Sequence, residues 1–192
     1  HTLCGDDWYD LDVANCHPAI VLQLCQNNGI MCSALAHYVA NREACLAEVA
    51  ALFKEGDPED VRDAAKILFI RIMYGGSAEW WCKVNKEALI DEQPVIPSSV
   101  IDLQKEVSAI SKAMQAYNPE MVKAVKALHK TMGKTDNFDG SFLSYYAQEW
   151  ERRVLETVFG MMRSKGYITE ANDCVLCFDG IMVRRENCMN TS

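Results

Sequence analysis

The chain has 192 residues, of which 49% are hydrophobic and 24% charged, and its formal net charge is −8. A chain of this size buries roughly 70% of its unfolded surface and can divide into two subdomains. Its apolar runs are far shorter than the ~20 residues that cross a bilayer, and no signal pattern is visible, so we expect an intracellular protein with no membrane partner. The acidic charge argues against a free-standing nucleic-acid-binding module.

The chain contains nine cysteines, an odd number that does not favour a disulfide framework. Several lie in apolar periodic segments, namely Cys25, Cys32, Cys45 and Cys82. We therefore predict reduced core cysteines. We do not expect Cys174-x2-Cys177 to form a zinc site, because residues three apart in a strand face opposite sides and no matching second pair follows. We do not expect Cys16 and His17 to form a thiol enzyme, because adjacent side chains point apart in an extended segment.

Apolar periodicity and breaker residues predict a strand, then a series of helices, then a hairpin. The strand covers about 8–14, and helices follow over 18–26, 31–53, 58–74, 78–89, 100–117, 119–132 and 141–165. The clearest boundary is Asp57-Pro58, which supplies an N-cap and a first helical residue. Asp179-Gly180 lies between β-prone runs and predicts the two-residue turn of a hairpin over 173–185.

Two acidic motifs lie at the strand and the hairpin. Side chains alternate along a strand, so Asp10 and Asp12 share a face, and a hairpin turn places Asp179 at the end of the sheet. If the strands are neighbours, Asp12 and Asp179 converge, and one or two Mg²⁺ ions would relieve their repulsion while bridging substrate phosphates. The alternative is that Asp179-Gly180 is only a turn.

A basic motif lies on the helix predicted over 58–74. Residues 62, 66, 70 and 74 fall on one side of it, so Arg62 and Lys66 can face phosphates while Phe69 or Ile70, together with Tyr74, offers apolar surface to a base. The alternative is an ordinary solvated face. A second basic stripe, formed by Lys123, Lys126, Lys130 and Lys134, fits either the backbone of a template or solvent.

The order of these motifs resembles the palm and fingers of family A DNA polymerases, which are related to single-subunit phage RNA polymerases. The similarity covers about 9–183 and is greatest to divergent relatives of phages, viruses and mobile elements. It implies an α+β fold, with a small antiparallel palm sheet packed against helices and a mostly helical fingers subdomain. The implied domains are palm over 1–30, fingers over 31–140 and palm over 141–192.

The resemblance also implies roles for individual residues. Asp12, the carbonyl of Val13, and Asp179 would hold the metal, with Lys66 as a catalytic proton donor or charge stabiliser. The implied nucleotide-binding residues are Arg62, Lys66, Phe69, Ile70, Tyr74, His17 and Asn15, and His17 would screen the sugar. Gln148 matches a residue that contacts duplex DNA, and Tyr145 and Arg152 on the same helix are further candidates, beside Lys123, Lys126 and Lys130.

The implied function is template-directed DNA polymerase catalysis with two Mg²⁺ ions, Mn²⁺ being a substitute. Its partners would be primer-template nucleic acid, nucleoside triphosphates and a thumb domain outside this chain. The alternatives are a non-catalytic nucleic-acid- or protein-binding domain, an RNA polymerase or primase-like enzyme, and a two-metal phosphodiesterase. The chain departs from the family where Ile70 replaces an aromatic residue, Gly180 an acid and Phe178 a histidine.

Overall fold

A computed structural model describes residue 5 and residues 7–189 of the chain. The outermost parts of the predicted palm segments, 1–4 and 190–192, lie outside the described residues, as does residue 6. In chain order, the elements are β1 (Trp8–Asp12), α1 (Cys16–Asn27), α2 (Ser33–Ala40), α3 (Arg42–Ala50), α4 (Pro58–Met73), α5 (Ala78–Val84), α6 (Ser98–Tyr117), α7 (Pro119–Met132), α8 (Phe138–Ser164), a 3₁₀ turn (Ala171–Asp173), β2 (Cys174–Cys177), β3 (Gly180–Arg184) and α9 (Arg185–Met189). The predicted α+β class is confirmed.

The chain divides into two compact units. Residues 1–20 and 147–192 form the first, here called the sheet unit, and residues 21–146 form the second, the helical unit. The assignment of 1–30 and 141–192 to a palm domain and of 31–140 to a fingers domain stays a prediction. Among the described residues, no helix has both the length and the apolar character that a membrane crossing requires.

The sheet unit contains three antiparallel strands in the order β1-β3-β2. β1 pairs with β3 so that Asp12 lies opposite Gly180, and Cys177 of β2 lies opposite Gly180 from the other side. The two-residue loop is therefore Phe178 and Asp179, one residue earlier than the predicted Asp179-Gly180 turn. Gly180 is held in the strand by both neighbours, and Phe178 instead takes a left-handed φ of 47°.

The sheet packs on one face against the second half of α8. Its buried centre is Ile168, Ile181 and Val183. The partly buried side chains around this centre include Leu155, Val158, Phe159 and Met162 from α8. These side chains form an apolar stripe on α8 that supports the sheet.

The helical unit differs from prediction at residues 31–53, where one predicted helix is two. α2 ends before Asn41 and α3 begins after it. The Asn41 side-chain amide donates to the carbonyl oxygen of His37 at 3.0 Å. Asn competes for backbone groups in this way, which favours a break over a continuous helix.

The start of α4 and both ends of α7 follow the prediction. Asp57 accepts a hydrogen bond from the Glu59 backbone N–H at 2.9 Å, and Pro58 is the first helical residue. α7 runs from Pro119 to Met132 and ends at Gly133, whose φ is 65°. The core of this unit includes Trp81, 1% exposed, whose indole N–H donates to the Ala64 carbonyl at 2.9 Å.

Candidate carboxylate site

Asp12 and Asp179 meet at one end of the sheet. Asp12 ends β1 opposite Gly180, and the next residue, Val13, donates its backbone N–H to the Asp179 carbonyl oxygen at 3.1 Å. This bond extends the strand pairing beyond Asp12 and places the two acids side by side. The predicted convergence of these two residues is therefore present in the sheet unit.

The environment of Asp12 disfavours its negative charge. Partial desolvation raises the pKa of its carboxyl, and the negative charge of Asp179, a hydrogen bond to the Asp179 carboxyl and the charge of Asp10 raise it further, while a backbone hydrogen bond at Val13 opposes them. Neighbouring carboxylates repel each other when both are ionised. A divalent cation between them would remove that cost.

Gly180 permits this approach. A Cβ atom built on it would lie 2.8 Å from the Asp12 Oδ1 and 2.8 Å from the Leu11 carbonyl oxygen. The second of these is a backbone atom within the strand pairing and cannot move without disturbing the register. The strand pairing at this end of the sheet therefore requires glycine at position 180.

Two further ligand-type side chains border the carboxylates. The sulfur of Cys16, one carboxylate oxygen of Glu151 and one of Asp179 all lie within 4.8 Å of one another. A cavity of about 120 Å³ is lined by these three residues together with Asp12 and Val13. The pKa of the Cys16 thiol is raised to about 12, first by burial and then by Glu151, Asp179 and Asp12.

His17 and Asn15 also belong to this end of the sheet unit. The Nε2 atom of His17 lies 3.2 Å from Oε2 of Glu151, and both side chains are largely buried. Asn15 has a left-handed φ of 54°, and its buried Nδ2 has no hydrogen-bond partner among the residues that the structure describes. The role of His17 at a nucleotide sugar and the role of Asn15 in nucleotide binding stay predictions.

Cys16 and Glu151 were missed as site residues by the sequence interpretation. Cys16 and His17 were treated as part of an extended segment, whereas they are the first two residues of α1. Glu151 lies three, four and seven residues before Val154, Leu155 and Val158 of the apolar stripe. An acid on the apolar side of a helix needs a buried partner, and that signal was available in the sequence.

The predicted phosphate and base contacts of α4 lie in the helical unit. Arg62 makes a two-pronged ion pair with Glu43 of α3, with distances from 2.9 to 3.2 Å. Lys66 is half-buried and has no acidic partner within the described part of the chain. The phosphate-binding role of both residues stays a prediction, and for Arg62 it requires the ion pair to open.

The residues predicted to contact a base differ in how far their side chains are buried. Phe69 is 1% exposed and stacks on Tyr38, with ring centroids 4.4 Å apart, so it could meet a base only by leaving the core. This burial argues against Phe69 as the replacement for Ile70, which is 45% exposed. Tyr74 is half-buried, and its carbonyl accepts a hydrogen bond from Asn137 at 2.8 Å.

The predicted nucleic-acid contacts have mixed surroundings. Gln148 is exposed and Tyr145 is half-buried. Arg152 forms ion pairs with Glu149 and Glu156, and Arg153 pairs with Glu149 at 2.9 Å. The lysine stripe is exposed at Lys123, Lys126 and Lys130, with Lys123 paired to Glu120 at 2.8 Å. Contact with nucleic acid stays a prediction for all six residues.

Comparison with known proteins gives one curated relative. It is named "Putative helicase V13" and comes from Sputnik virophage. The two sequences are 28% identical over 181 residues, which cover 93% of this chain and 21% of the relative. The chain thus spans about a fifth of the length of that relative. No family profile matches the chain, and no solved structure matches it.

The name of the relative corrects the predicted function. A helicase separates nucleic-acid strands, whereas the resemblance implied an enzyme that joins nucleotides to a primer. The prediction of a template-directed DNA polymerase is contradicted by this finding, and the comparisons show no polymerase family. The viral part of the predicted resemblance agrees with the source of the relative.

Proposed function

We propose that the chain is a divalent-metal-binding domain of a larger nucleic-acid-processing enzyme. In this proposal, Asp12 and Asp179 hold Mg²⁺, or Mn²⁺ in its place, and the ion binds a phosphate group of a nucleotide or a nucleic acid. The observation that carries the proposal is the position of the two acids, which the pairing of β1 with β3 brings together.

The electrostatics of the site support a metal as the intermediary. The chain carries a net charge of −8, and the Asp12–Asp179 pair adds a local concentration of negative charge, so a phosphate approaching it alone would be repelled. A Mg²⁺ ion is bound in proteins by one or two carboxylates plus substrate phosphates, which matches this donor set. Phosphate binding at this site should therefore depend on the cation.

The relative suggests the kind of phosphate. The printed name of the virophage protein is that of a helicase, and helicases act on nucleic acid. We therefore propose nucleic acid and nucleoside triphosphates as partners, further domains of a longer viral protein as its context, and an infected host cell as its location. The fold supports the proposed metal site, and the name of the relative supports the proposed class of substrate.

The test measures metal binding and nucleic-acid binding separately. Mn²⁺ binding is measured from the loss of the electron paramagnetic resonance signal of the free ion. Binding of a fluorescent single-stranded oligonucleotide is measured by fluorescence anisotropy, once with Mg²⁺ and once with EDTA. We expect Asp12→Asn and Asp179→Asn each to weaken Mn²⁺ binding by about 10-fold or more, as loss of a charged ligand should. Both variants should also lose the Mg²⁺-dependent part of oligonucleotide binding.

Asp10→Asn is the matched control. Asp10 lies on the same strand and contributes to the field at Asp12, but its partner in β3 is Met182, away from the Asp179 loop. It should change Mn²⁺ affinity by less than about 3-fold, the effect of an exposed charge. Equal losses in all three variants would show that the ion responds only to general negative charge and would overturn the proposed site. Metal binding without Mg²⁺-dependent oligonucleotide binding would overturn the nucleic-acid role.

A further inference from the structure

We propose that Cys16, Glu151 and Asp179 form a second subsite, which takes a thiophilic divalent cation, Zn²⁺ above all, and shares Asp179 with the Asp12–Asp179 pair. Zinc bound there would compete with Mg²⁺ for Asp179. The competition rests on the proposed function, whereas zinc binding itself does not.

The three ligands come from three separate elements. Cys16 is the first residue of α1, Glu151 lies on α8, and Asp179 lies in the loop between β2 and β3. Their ligand atoms lie within 4.8 Å of one another. Zinc bonds of about 2.0–2.3 Å in a tetrahedron place neighbouring ligand atoms roughly 3.5 Å apart. Small side-chain rotations would close the difference.

The buried thiol is an independent sign of a ligand. Cys16 is 6% exposed and lines the cavity beside the carboxylates. A cysteine that only filled the core would not need to border two acids. The cavity of about 120 Å³ has room for an ion and water molecules.

The donor set distinguishes zinc from magnesium. Mg²⁺ selects oxygen ligands in an octahedron, whereas Zn²⁺ accepts sulfur, nitrogen and oxygen in a tetrahedron with one position open to water or substrate. His17, 3.2 Å from Glu151, would orient that carboxylate from behind, as outer partners of metal ligands do. On binding, a zinc–sulfur bond forms, the sulfur–hydrogen bond breaks, and the proton goes to solvent with no change of oxidation state.

The experiment uses Cd²⁺ and Co²⁺, which report a thiolate ligand by a charge-transfer absorption band. We expect the band in the wild-type chain, and we expect Cys16→Ser to abolish it. Cys174→Ser is the matched control because Cys174 lies in the same unit, on β2, outside the cluster. It should retain the band. Glu151→Gln should keep the band but weaken Cd²⁺ binding about 10-fold.

Competition with Mn²⁺ tests the shared ligand. Zn²⁺ should displace Mn²⁺ from the wild-type chain, and the displacement should need a much higher Zn²⁺ concentration in Cys16→Ser. Thermal unfolding identifies any variant that has not folded, in which case Cys16→Ala replaces Cys16→Ser. A band that persists without Cys16, or a wild-type chain with no band, would overturn the subsite.

The two proposals fail separately. A Cys16-dependent band in a chain that does not bind Mn²⁺ would keep the zinc subsite and remove the proposed function. Mn²⁺ binding that depends on Asp12 and Asp179 but resists Zn²⁺ would keep the proposed function and remove the shared ligand.

Discussion

The carboxylate pair of the sheet unit and the basic side of α4 in the helical unit are both clusters of charge, but they are built differently. Asp12 and Asp179 are fixed by backbone pairing, including the 3.1 Å bond from Val13 to Asp179. Arg62 extends from a helix and pairs with Glu43 of the neighbouring helix. The backbone bonds of Asp12 and Asp179 keep the two like charges close together, whereas a long side chain such as that of Arg62 can reach a partner of opposite charge.

The pKa shifts of the two clusters indicate which of them would gain more from binding an ion of opposite charge. The raised pKa of Asp12 records a charge that its surroundings disfavour, and a cation would correct it. The contact between the Arg62 guanidinium and Glu43 stabilises charge instead, since the hydrogen bond from Arg62 lowers the pKa of the Glu43 carboxyl. A bound cation would lower the electrostatic cost of the acidic pair, whereas the charge of Arg62 is already paired with that of Glu43.

The largest expected effect comes from Gly180→Ala, which breaks the geometry of the acidic pair. The added Cβ would press on the Leu11 carbonyl and on Asp12. We expect the free energy of unfolding to fall by about 1–3 kcal/mol, as overpacking does, and Mn²⁺ affinity to fall with it. Chemical denaturation and Mn²⁺ titration measure the two losses.

Gly160→Ala is the matched control for that variant. Gly160 lies in α8, and a Cβ there would meet nothing within 4 Å. This substitution should leave Mn²⁺ affinity unchanged and raise stability by about 0.5–1 kcal/mol through helix propensity. A Gly180→Ala protein as stable as wild type, with normal Mn²⁺ binding, would show that the strand register does not set the site.

Glu43→Gln tests whether the ion pair with Glu43 prevents Arg62 from binding phosphate. Removing the carboxylate should free the guanidinium, so we expect affinity for inorganic tripolyphosphate to rise about 3- to 10-fold, measured by calorimetry. Arg62→Ala made in the Glu43→Gln background should cancel the gain. Glu79→Gln removes an exposed acid of α5 and controls for net charge. An equal rise in that control would show a general charge effect and remove Arg62 from the phosphate hypothesis.

Asp12→Asn should have a smaller effect, and its sign should depend on metal. Without a divalent ion, the substitution removes repulsion with Asp179 and Asp10, so we expect stability to rise by a few tenths to about 1 kcal/mol, because charges this exposed are screened. With Mg²⁺ present, the wild type should gain stability by binding the ion, and the variant should not. Thermal unfolding with EDTA and with Mg²⁺ measures both. A variant less stable than wild type in EDTA would contradict the repulsion.

The smallest expected effect is the pH dependence of that difference. The folded pKa of Asp12 lies above its ordinary value of 3.8, so the folded state takes up this proton before the unfolded state does. The advantage of Asp12→Asn without metal should be full above the raised pKa and should disappear as the pH falls toward 3.8. Unfolding of both proteins in EDTA across this range tests it, and an advantage that grows on acidification would refute the assignment.

Local signals in the sequence were enough for the acidic strand and for most helices, although residues 31–53 form two helices in place of the predicted one. Asp57 and Pro58 fixed the start of α4 because capping depends on a few adjacent residues. The turn of the hairpin was misplaced by one residue, because the sequence could not show that Gly180 is paired on both sides. A glycine beside an aspartate suits a turn by propensity, and tertiary pairing overrode that preference.

The candidate site was only partly accessible from the sequence. Asp12 and Asp179 could be predicted as site residues because each belongs to a short acidic motif in the sequence. Glu151 was not found because its relation to Asp179 depends on how α8 lies in the sheet unit. The ion pair of Arg62 was missed for a related reason, since the spacing of residues on α4 contains no information about Glu43 on α3.

The pairing of β1 with β3 has a consequence for synthesis of the protein on the ribosome. β1 is synthesised before the helical unit, whereas β3, its neighbour in the described sheet, is synthesised after that unit. Helices with local contacts can form as they emerge, whereas the backbone groups of β1 cannot pair with β3 until β3 has been made. Of the two units, the sheet unit therefore assembles second, and Asp12 and Asp179 become neighbours only when translation has passed β3.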